Sequence, residues 1–351
     1  MIPLKYMKNI LIGAIIVIAA LIGYGMYSRS GGEKELTVLS WDNYIGPNTI
    51  ADFEAKYGSK VVYEIIKSNE EALARVKANP GVYDVVVVSD YMVKIMNDEG
   101  LLAPLDKRAI PNSTNVSQAF HGSYFDPSLE KSMPYAYGTT GFGVNKKHYT
   151  DSTISWKQLA DPKYKGQIAV MDDMRYVLGS VLLELGFNPN TTNQAEIDQA
   201  VALLKTVAPN IQKFTSDTPV DLMVSEGAWI AYGYSGDIFQ MNAENKDIAY
   251  MAPSYGTLKF LDNMVVMNDA PHKDMAHKYI DFILDPKVSA DITNEISYGN
   301  PNEAAKSMIS PEILNNPAVF PSQELISKLH YIEDVGDKVS LYDAAWEKVK
   351  Q

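Results

Sequence analysis

Five short clusters set an aromatic ring beside a carboxylate: Trp41-Asp42-Asn43-Tyr44, Ser89-Asp90-Tyr91, Asp172-Asp173 with Tyr176, Tyr234-Ser235-Gly236-Asp237 and Phe260-Leu261-Asp262. Such pairs suit an alkyl-ammonium group. A ring face attracts the cation and packs on its methylenes, at about 0.5–2 kcal/mol per contact. A carboxylate that meets the ammonium offsets the cost of desolvating both charges. Any one cluster is explained equally well by a half-buried ring at a strand end next to a solvated or helix-capping acid. The argument for a shared site rests on the repetition. Among the aromatics tyrosine dominates, with 22 Tyr against 10 Phe and 4 Trp, so most rings here also carry a hydroxyl.

Other chemistries lack their residues. There is no cysteine, which removes disulfides, thiolate metal sites, thiol nucleophiles and a lipid-modified N-terminal cysteine. No phosphate-binding loop, dinucleotide fingerprint or H-E-x-x-H helix is present. Gly-Tyr-Ser-Gly at 233–236 is not a nucleophile elbow. His272 and His277 stand five apart, off the helical spacing that would let them share a metal. We therefore expect no catalytic residues, no metal and no cofactor. Paired carboxylates such as Asp172 and Asp173 leave a membrane-anchored hydrolase as an alternative, although adjacent acids in one strand point to opposite faces.

These clusters need elements to hold them. From Leu36 onward short apolar runs alternate with amphipathic ones. Leu36–Trp41, Val61–Ile66 and Val85–Val88 read as strands, the last fully buried and expected to pair in parallel. Thr49–Tyr57 reads as a helix with Pro47 at its first position. Asn69–Ala78 reads as a helix capped by Asn69, and Tyr91–Glu99 as one ended by Gly100. Met133–Val144 reads as extended crossing strands. Gln167–Met171, Ile211–Phe214, Trp229–Tyr234, Ala249–Ala252 and Asn263–Met267 are further strands. Met174–Leu185, Ala195–Val207, Val220–Ser225, Ile238–Asn245 and Lys273–Leu284 are helices, and the tail from Pro311 is expected to be mostly helical. The alternation predicts an α/β fold with ligands at the carboxyl ends of strands. A chain of 351 residues exceeds one comfortable core and predicts two globular lobes.

Twenty uncharged residues separate Lys8 from Arg29, about the length that spans a bilayer. Residues 1–30 thus read as a signal anchor, with a cleaved signal peptide as the alternative, and 31–35 as a linker. The remainder is extracytoplasmic on either reading, held at the cell surface or periplasmic. The formal net charge is -12, and the acidic excess lies entirely after the first 32 residues. That field repels nucleic acid and attracts cations.

Spaced stretches of the chain resemble the spermidine/putrescine-binding proteins of polyamine ABC transporters. Leu39-Ser40-Trp41-Asp42-Asn43-Tyr44-Ile45 followed by Pro47 resembles their opening strand and turn. Ser68-Asn69-Glu70, Tyr83 to Ser89, Met133-Pro134-Tyr135 through Gly141, Lys163 to Gly166, Asp237-Ile238, Asp262-Asn263-Met264 and Asn300-Pro301-Asn302 follow in the same order. The resemblance implies a type II periplasmic-binding-protein fold. Its two α/β lobes, 36–138 with 262–303 and 139–261 with 304–351, would be joined by crossing hinge strands and would close over a ligand. It implies a polyamine ligand, an ABC permease as partner, no nucleic acid, and a monomer. Position by position it implies Trp41, Tyr44, Ser89 and Tyr91 as pocket residues of the first lobe. Asp173 would bind an amine, Asp262 would anchor a terminal amine, Tyr234 and Phe260 would flank the methylene chain, and Asp237 would serve as a further acid. Three departures stand out. Tyr176 replaces an acid, Tyr234 replaces a tryptophan or phenylalanine, and Asp42-Asn43 differs from the usual neutral-then-acidic pair. They leave open which polyamine is preferred, and whether the same fold takes another organic cation or an amino-acid-like solute.

Overall fold

Among the described residues ten runs rich in β-branched and aromatic residues form strands. They are β1 (Lys34–Trp41), β2 (Ser59–Ile66), β3 (Val85–Ser89), β4 (Ser132–Asn145), β5 (Ile168–Met171), β6 (Ile211–Thr215), β7 (Ile230–Tyr234), β8 (Ile248–Met251), β9 (Thr257–Val266) and β10 (Leu329–Tyr331). The structure is a computed structural model that describes residues 34–215, 220–316, 319–320 and 329–351. The anchor or signal segment expected over 1–30 lies outside the described residues. Of the linker expected over 31–35, Lys34 and Glu35 already belong to β1 and pair with Ser59 and Lys60. Among the described residues no helix is long and apolar enough to cross a membrane.

The strands form one sheet in the order β2-β1-β3-β9-β4-β7-β5-β6, with β10 beside β9 and β8 beside β4. β1 runs parallel to β2 and β3, and β5 parallel to β6 and β7. Parallel neighbours need crossovers, and the helices Thr49–Tyr57, Asn69–Ala78, Met174–Glu184, Gln194–Val207 and Val220–Val224 supply them. The middle of the sheet is antiparallel. β9 runs against β3 and β4, and β4 against β7. Each end of the sheet is therefore a three-strand parallel unit bordered by one reversed strand, and the two units repeat one topology on unrelated sequence.

β4 and β9 cross from one unit to the other. Residues 132–139 of β4 pair with β9, and residues 140–145 pair with β7 and β8. At the crossing a side chain would collide with its neighbours. A Cβ at Gly138 would sit 2.7 Å from the Phe260 ring, and one at Gly141 would sit 2.6 Å from the Tyr250 ring. Glycine is what lets these rings lie on the crossing strands.

Several expectations from sequence shift in detail. β3 pairs in parallel with β1 only, and its other neighbour, β9, is antiparallel. Pro47 precedes the first helix, whose cap position is Asn48. The cap of Asn69–Ala78 is Ser68, whose hydroxyl accepts from Glu71 N–H. Asn69 is fully buried instead, its amide bonded to the backbone and hydroxyl of Ser89. β9 begins at Thr257, six residues earlier than the apolar pattern indicates, because Lys259 and Asp262 interrupt that pattern inside a central strand. The helix Pro286–Ile296 was not expected. Asp285 caps it, and Pro286 opens it at the position that needs no N–H. The described part of the tail from Pro311 holds the helices Pro311–Leu314 and Val339–Lys350, a short 3-10 turn at Gly336–Lys338, and strand β10.

Asn300 pins the loop after Pro286–Ile296. Its amide nitrogen donates to Ser289 O, Ser289 Oγ and Thr293 Oγ1 at 3.0, 3.0 and 2.9 Å. Its carbonyl accepts from Asn302 N–H at 2.8 Å. Replacing a buried hub of this kind leaves several groups without partners. Asn300→Ala should lower the unfolding free energy by about 2–4 kcal/mol in chemical denaturation, and a loss under 0.5 kcal/mol would contradict this reading of the loop.

Candidate ligand-binding site

The strand ends of both units face one cleft. β1 delivers Trp41, with Asp42 just after it, β3 delivers Ser89, β7 delivers Tyr234 with Asp237 in the first turn of the next helix, and β9 delivers Phe260 and Asp262. Tyr44 enters from the turn after β1. This is the carboxyl-end crevice expected of α/β sheets. The lined space is about 80 Å³, smaller than the roughly 150 Å³ of an engineered cavity that accepts a benzene ring.

Asp262 lies on the floor, 4% exposed. Tyr44 Oη donates to its Oδ2 at 2.6 Å, and Ser89 Oγ to its Oδ1 at 2.7 Å. Both partners are neutral. Burial pushes the carboxyl up to about 6, against the pull of these two hydroxyls. Asp237, 7% exposed, accepts from Tyr298 Oη at 2.9 Å. Burial, helped by the charge of Asp42, pushes it up to about 7. Asp173, 6% exposed, caps the helix Met174–Glu184 by accepting from the N–H groups of Arg175 and Tyr176. Its other oxygen accepts from Tyr234 Oη at 3.1 Å. Burial first, then the charge of Glu70, raises it to about 6. Among the described residues none of these three carboxylates is ion-paired with a lysine, arginine or histidine.

A run of edge-on rings forms the wall. Successive centroids lie 5.6 Å apart from Tyr176 to Tyr234, 5.3 Å from Tyr234 to Phe260, 5.8 Å from Phe260 to Tyr298, 5.1 Å from Tyr298 to Tyr44 and 5.4 Å from Tyr44 to Tyr135. Edge-to-face packing fixes each ring through the next.

Eight of the twelve residues singled out from sequence line the cleft: Trp41, Asp42, Tyr44, Ser89, Tyr234, Asp237, Phe260 and Asp262. The other four do not. Tyr176 is the ring of that run set back from the cleft, packed edge-on against Tyr234 and Phe260. Asp173 sits at the adjoining rim with Glu70 and Asp172. Tyr91 is buried and donates to Glu70 Oε1 at 3.0 Å. Asn43 is exposed, with a left-handed backbone of φ 48° that makes the turn into Tyr44. Asp172 and Asp173 diverge. Asp172 binds Trp346 Nε1 and Lys350, away from Tyr234, so they form no acid–base pair.

Sequence reasoning missed Tyr298 and the true role of Asn69. Tyr298 stands two residues before the Asn300-Pro301-Asn302 stretch, and no acid adjoins it in the chain. Its partner, Asp237, is 61 positions away.

The model of the bacterial extracellular solute-binding protein family matches residues 48–321. The chain is 32% identical over 335 residues to the spermidine/putrescine-binding periplasmic protein of Salmonella typhimurium, covering 95% of this chain and 96% of that one. It is 29% identical over 358 residues to the putrescine/cadaverine-binding protein of Pseudomonas aeruginosa, covering 98% and 99%. A solved Listeria monocytogenes structure, provisionally assigned to a spermidine/putrescine ABC transporter, superposes with a TM-score of 0.88 at 33% identity, covering 91% of this chain and 99% of that one.

The raised carboxyls predict a pH signature. With Asp237 pushed up to about 7, the folded chain keeps a proton there that the unfolded chain has already lost. The stability linked to that proton is present at acid pH and is gone once pH passes the folded value. Asp237→Asn, without ligand, should melt several degrees above the parent at pH 8, with the gap closing by pH 4. An equal or lower melting temperature at pH 8 would contradict the assignment.

Proposed function

The chain belongs to the bacterial extracellular solute-binding protein family, and from that premise we propose that its cleft captures a polyamine and delivers it to an ABC permease. The family captures solutes and is not enzymatic. The observation that carries the ligand class is a trio of buried carboxylates, none of them ion-paired among the described residues, beside a continuous aromatic wall. A protonated amine supplies the missing charge, and its methylenes supply the apolar contact that the rings want.

In this reading Asp262 anchors one ammonium, with Tyr44 and Ser89 orienting its oxygens. Phe260 and Tyr234 flank the carbon chain, and Trp41 closes the β1 side. Asp237 lies at the other end of the wall, and Asp173 at the rim meets any further ammonium of a longer ligand. Tyr234 in place of tryptophan or phenylalanine adds a hydroxyl that holds Asp173. Tyr176 in place of an acid removes one negative charge from that end, which favours a diamine over a triamine. The two sheet units act as lobes, 36–138 with 262–303 and 139–261 with 304–351, which part and close about the crossing strands β4 and β9. The apolar N-terminal run keeps the protein at the outer face of the membrane.

The test is calorimetric titration of the full chain, in mild detergent, with putrescine, cadaverine, spermidine, spermine and agmatine. We expect saturable one-to-one binding, tightest for a diamine. Asp262→Asn should weaken it by roughly ten- to a hundredfold, the loss of one charge-assisted contact. Unchanged binding in Asp262→Asn would overturn the anchor. Silence from all five ligands with a folded sample would overturn the polyamine reading in favour of another organic cation.

A further inference from the structure

Leu261 lies where β9 loses a neighbour. The ladder between β3 and β9 runs from Val85 opposite Val266 to Ser89 opposite Asp262. The next rung would set Asp90 against Leu261, but Asp90 already begins the helix Asp90–Asp98. The peptide groups of Leu261 on that side are buried, and buried backbone groups need partners. Two side chains stand in for the missing strand. Asp90 Oδ2 accepts from Leu261 N–H at 2.9 Å, and Asn263 Nδ2 donates to the Leu261 carbonyl at 2.8 Å. Asp90 and Asn263 are both 0% exposed.

The place matters because Leu261 separates Phe260 from Asp262, a ring of the wall from the acid on the floor. It also marks the exchange of partners along β9. Residues on its C-terminal side pair with β3, and residues 257–259 pair with β10. A strand that must bend between lobes keeps a side-chain bond there, where a rigid ladder would otherwise continue.

We propose that Asp90 is a positioning residue for the ligand cleft: its carboxyl replaces the absent strand, fixes Leu261, and so sets Phe260 and Asp262 for the ligand at the point where β9 passes between the lobes. The inference rests on the cleft being the ligand site. Asp90 does not line that cleft and acts through β9. A carboxyl suits the place because it accepts twice. Its second oxygen takes Tyr91 N–H at 2.7 Å, so one group ties the start of the helix to the crossing strand. An asparagine keeps one acceptor, and an alanine keeps none.

The test compares Asp90→Ala and Asp90→Asn with the parent in the full chain. Putrescine affinity is read by calorimetry, and amide exchange of the stretch 260–263 by mass spectrometry. We expect Asp90→Ala to keep a native circular dichroism spectrum, to bind about ten- to a hundredfold more weakly, and to exchange faster at Leu261. Asp90→Asn should recover most of both. Parental affinity in Asp90→Ala with only a lower melting temperature would overturn the proposal, as would an Asn variant as weak as the Ala one. Should Asp90→Ala fail to fold, Asp90→Asn and Asp90→Ser decide. The proposal requires affinity to fall in the order Asp, Asn, Ser, and equal affinities contradict it. If the parent binds no polyamine, the functional reading fails, while exchange at Leu261 still decides the positioning claim.

Discussion

A buried carboxylate without a counter-charge is the constraint on which the cleft depends. Asp262 is held by two neutral hydroxyls, and burial keeps its proton up to about pH 6. An isolated buried charge costs several kcal/mol, and among the described residues no lysine, arginine or histidine is ion-paired with Asp262. The same holds for Asp237, with a single hydroxyl partner. Evolution could have placed a lysine beside either acid and obtained a more stable protein. In the proposed function, leaving them unpaired keeps the site short of one kind of group, a cation from outside. Stability is given up for binding, a trade seen at many functional sites.

The fold makes this shortage tolerable by distributing it. Asp262 comes from a central strand, Ser89 from the end of β3, Tyr44 from the turn after β1, Asp237 from the first turn of the helix after β7, and Tyr298 from the loop after the helix Pro286–Ile296. Because two parallel units repeat one topology with their carboxyl ends converging, each acid is presented by a different element and is separated from the others by rings. The aromatic wall spaces the acids apart and excludes water, and the low local dielectric that results strengthens a charge-assisted contact. Asn69 serves the same end by fixing Ser89, so that the hydroxyl donor to Asp262 arrives oriented.

Much of this was legible in the sequence. Four consecutive valines announced a doubly covered strand. The recurrence of ring beside acid at strand ends picked out eight residues that do meet in one cleft. What the sequence hid follows from long-range pairing. Tyr298 meets an acid 61 positions away, and its role exists only because Gly236 leaves room for its ring beside Asp237, with a Cβ there falling 2.4 Å from it. Asn69 has the chemistry of a helix cap, but Ser68 one residue earlier takes that position, which frees Asn69 for Ser89. The early start of β9 was masked by Lys259 and Asp262, polar residues in a central strand. They violate the apolar pattern there because they serve other purposes than the core, and such breaks between local pattern and fold mark functional positions. The departure at Tyr234 is explained by its hydroxyl, which donates to Asp173, a residue 61 positions away.

The central claim, that these acids await a cation, is tested most directly by counting protons. Putrescine binding should be measured by calorimetry at pH 6.5 in buffers of different ionisation enthalpy, and again at pH 8.5. With Asp262 and Asp173 at about 6 and Asp237 at about 7 without ligand, an arriving ammonium must drive protons off. The account predicts release of about one proton per ligand at pH 6.5 and close to none at pH 8.5. Binding at pH 6.5 with no proton released, or with protons taken up, would mean that the carboxylates are already ionised and satisfied without ligand, and that the cleft recognises its solute by other means.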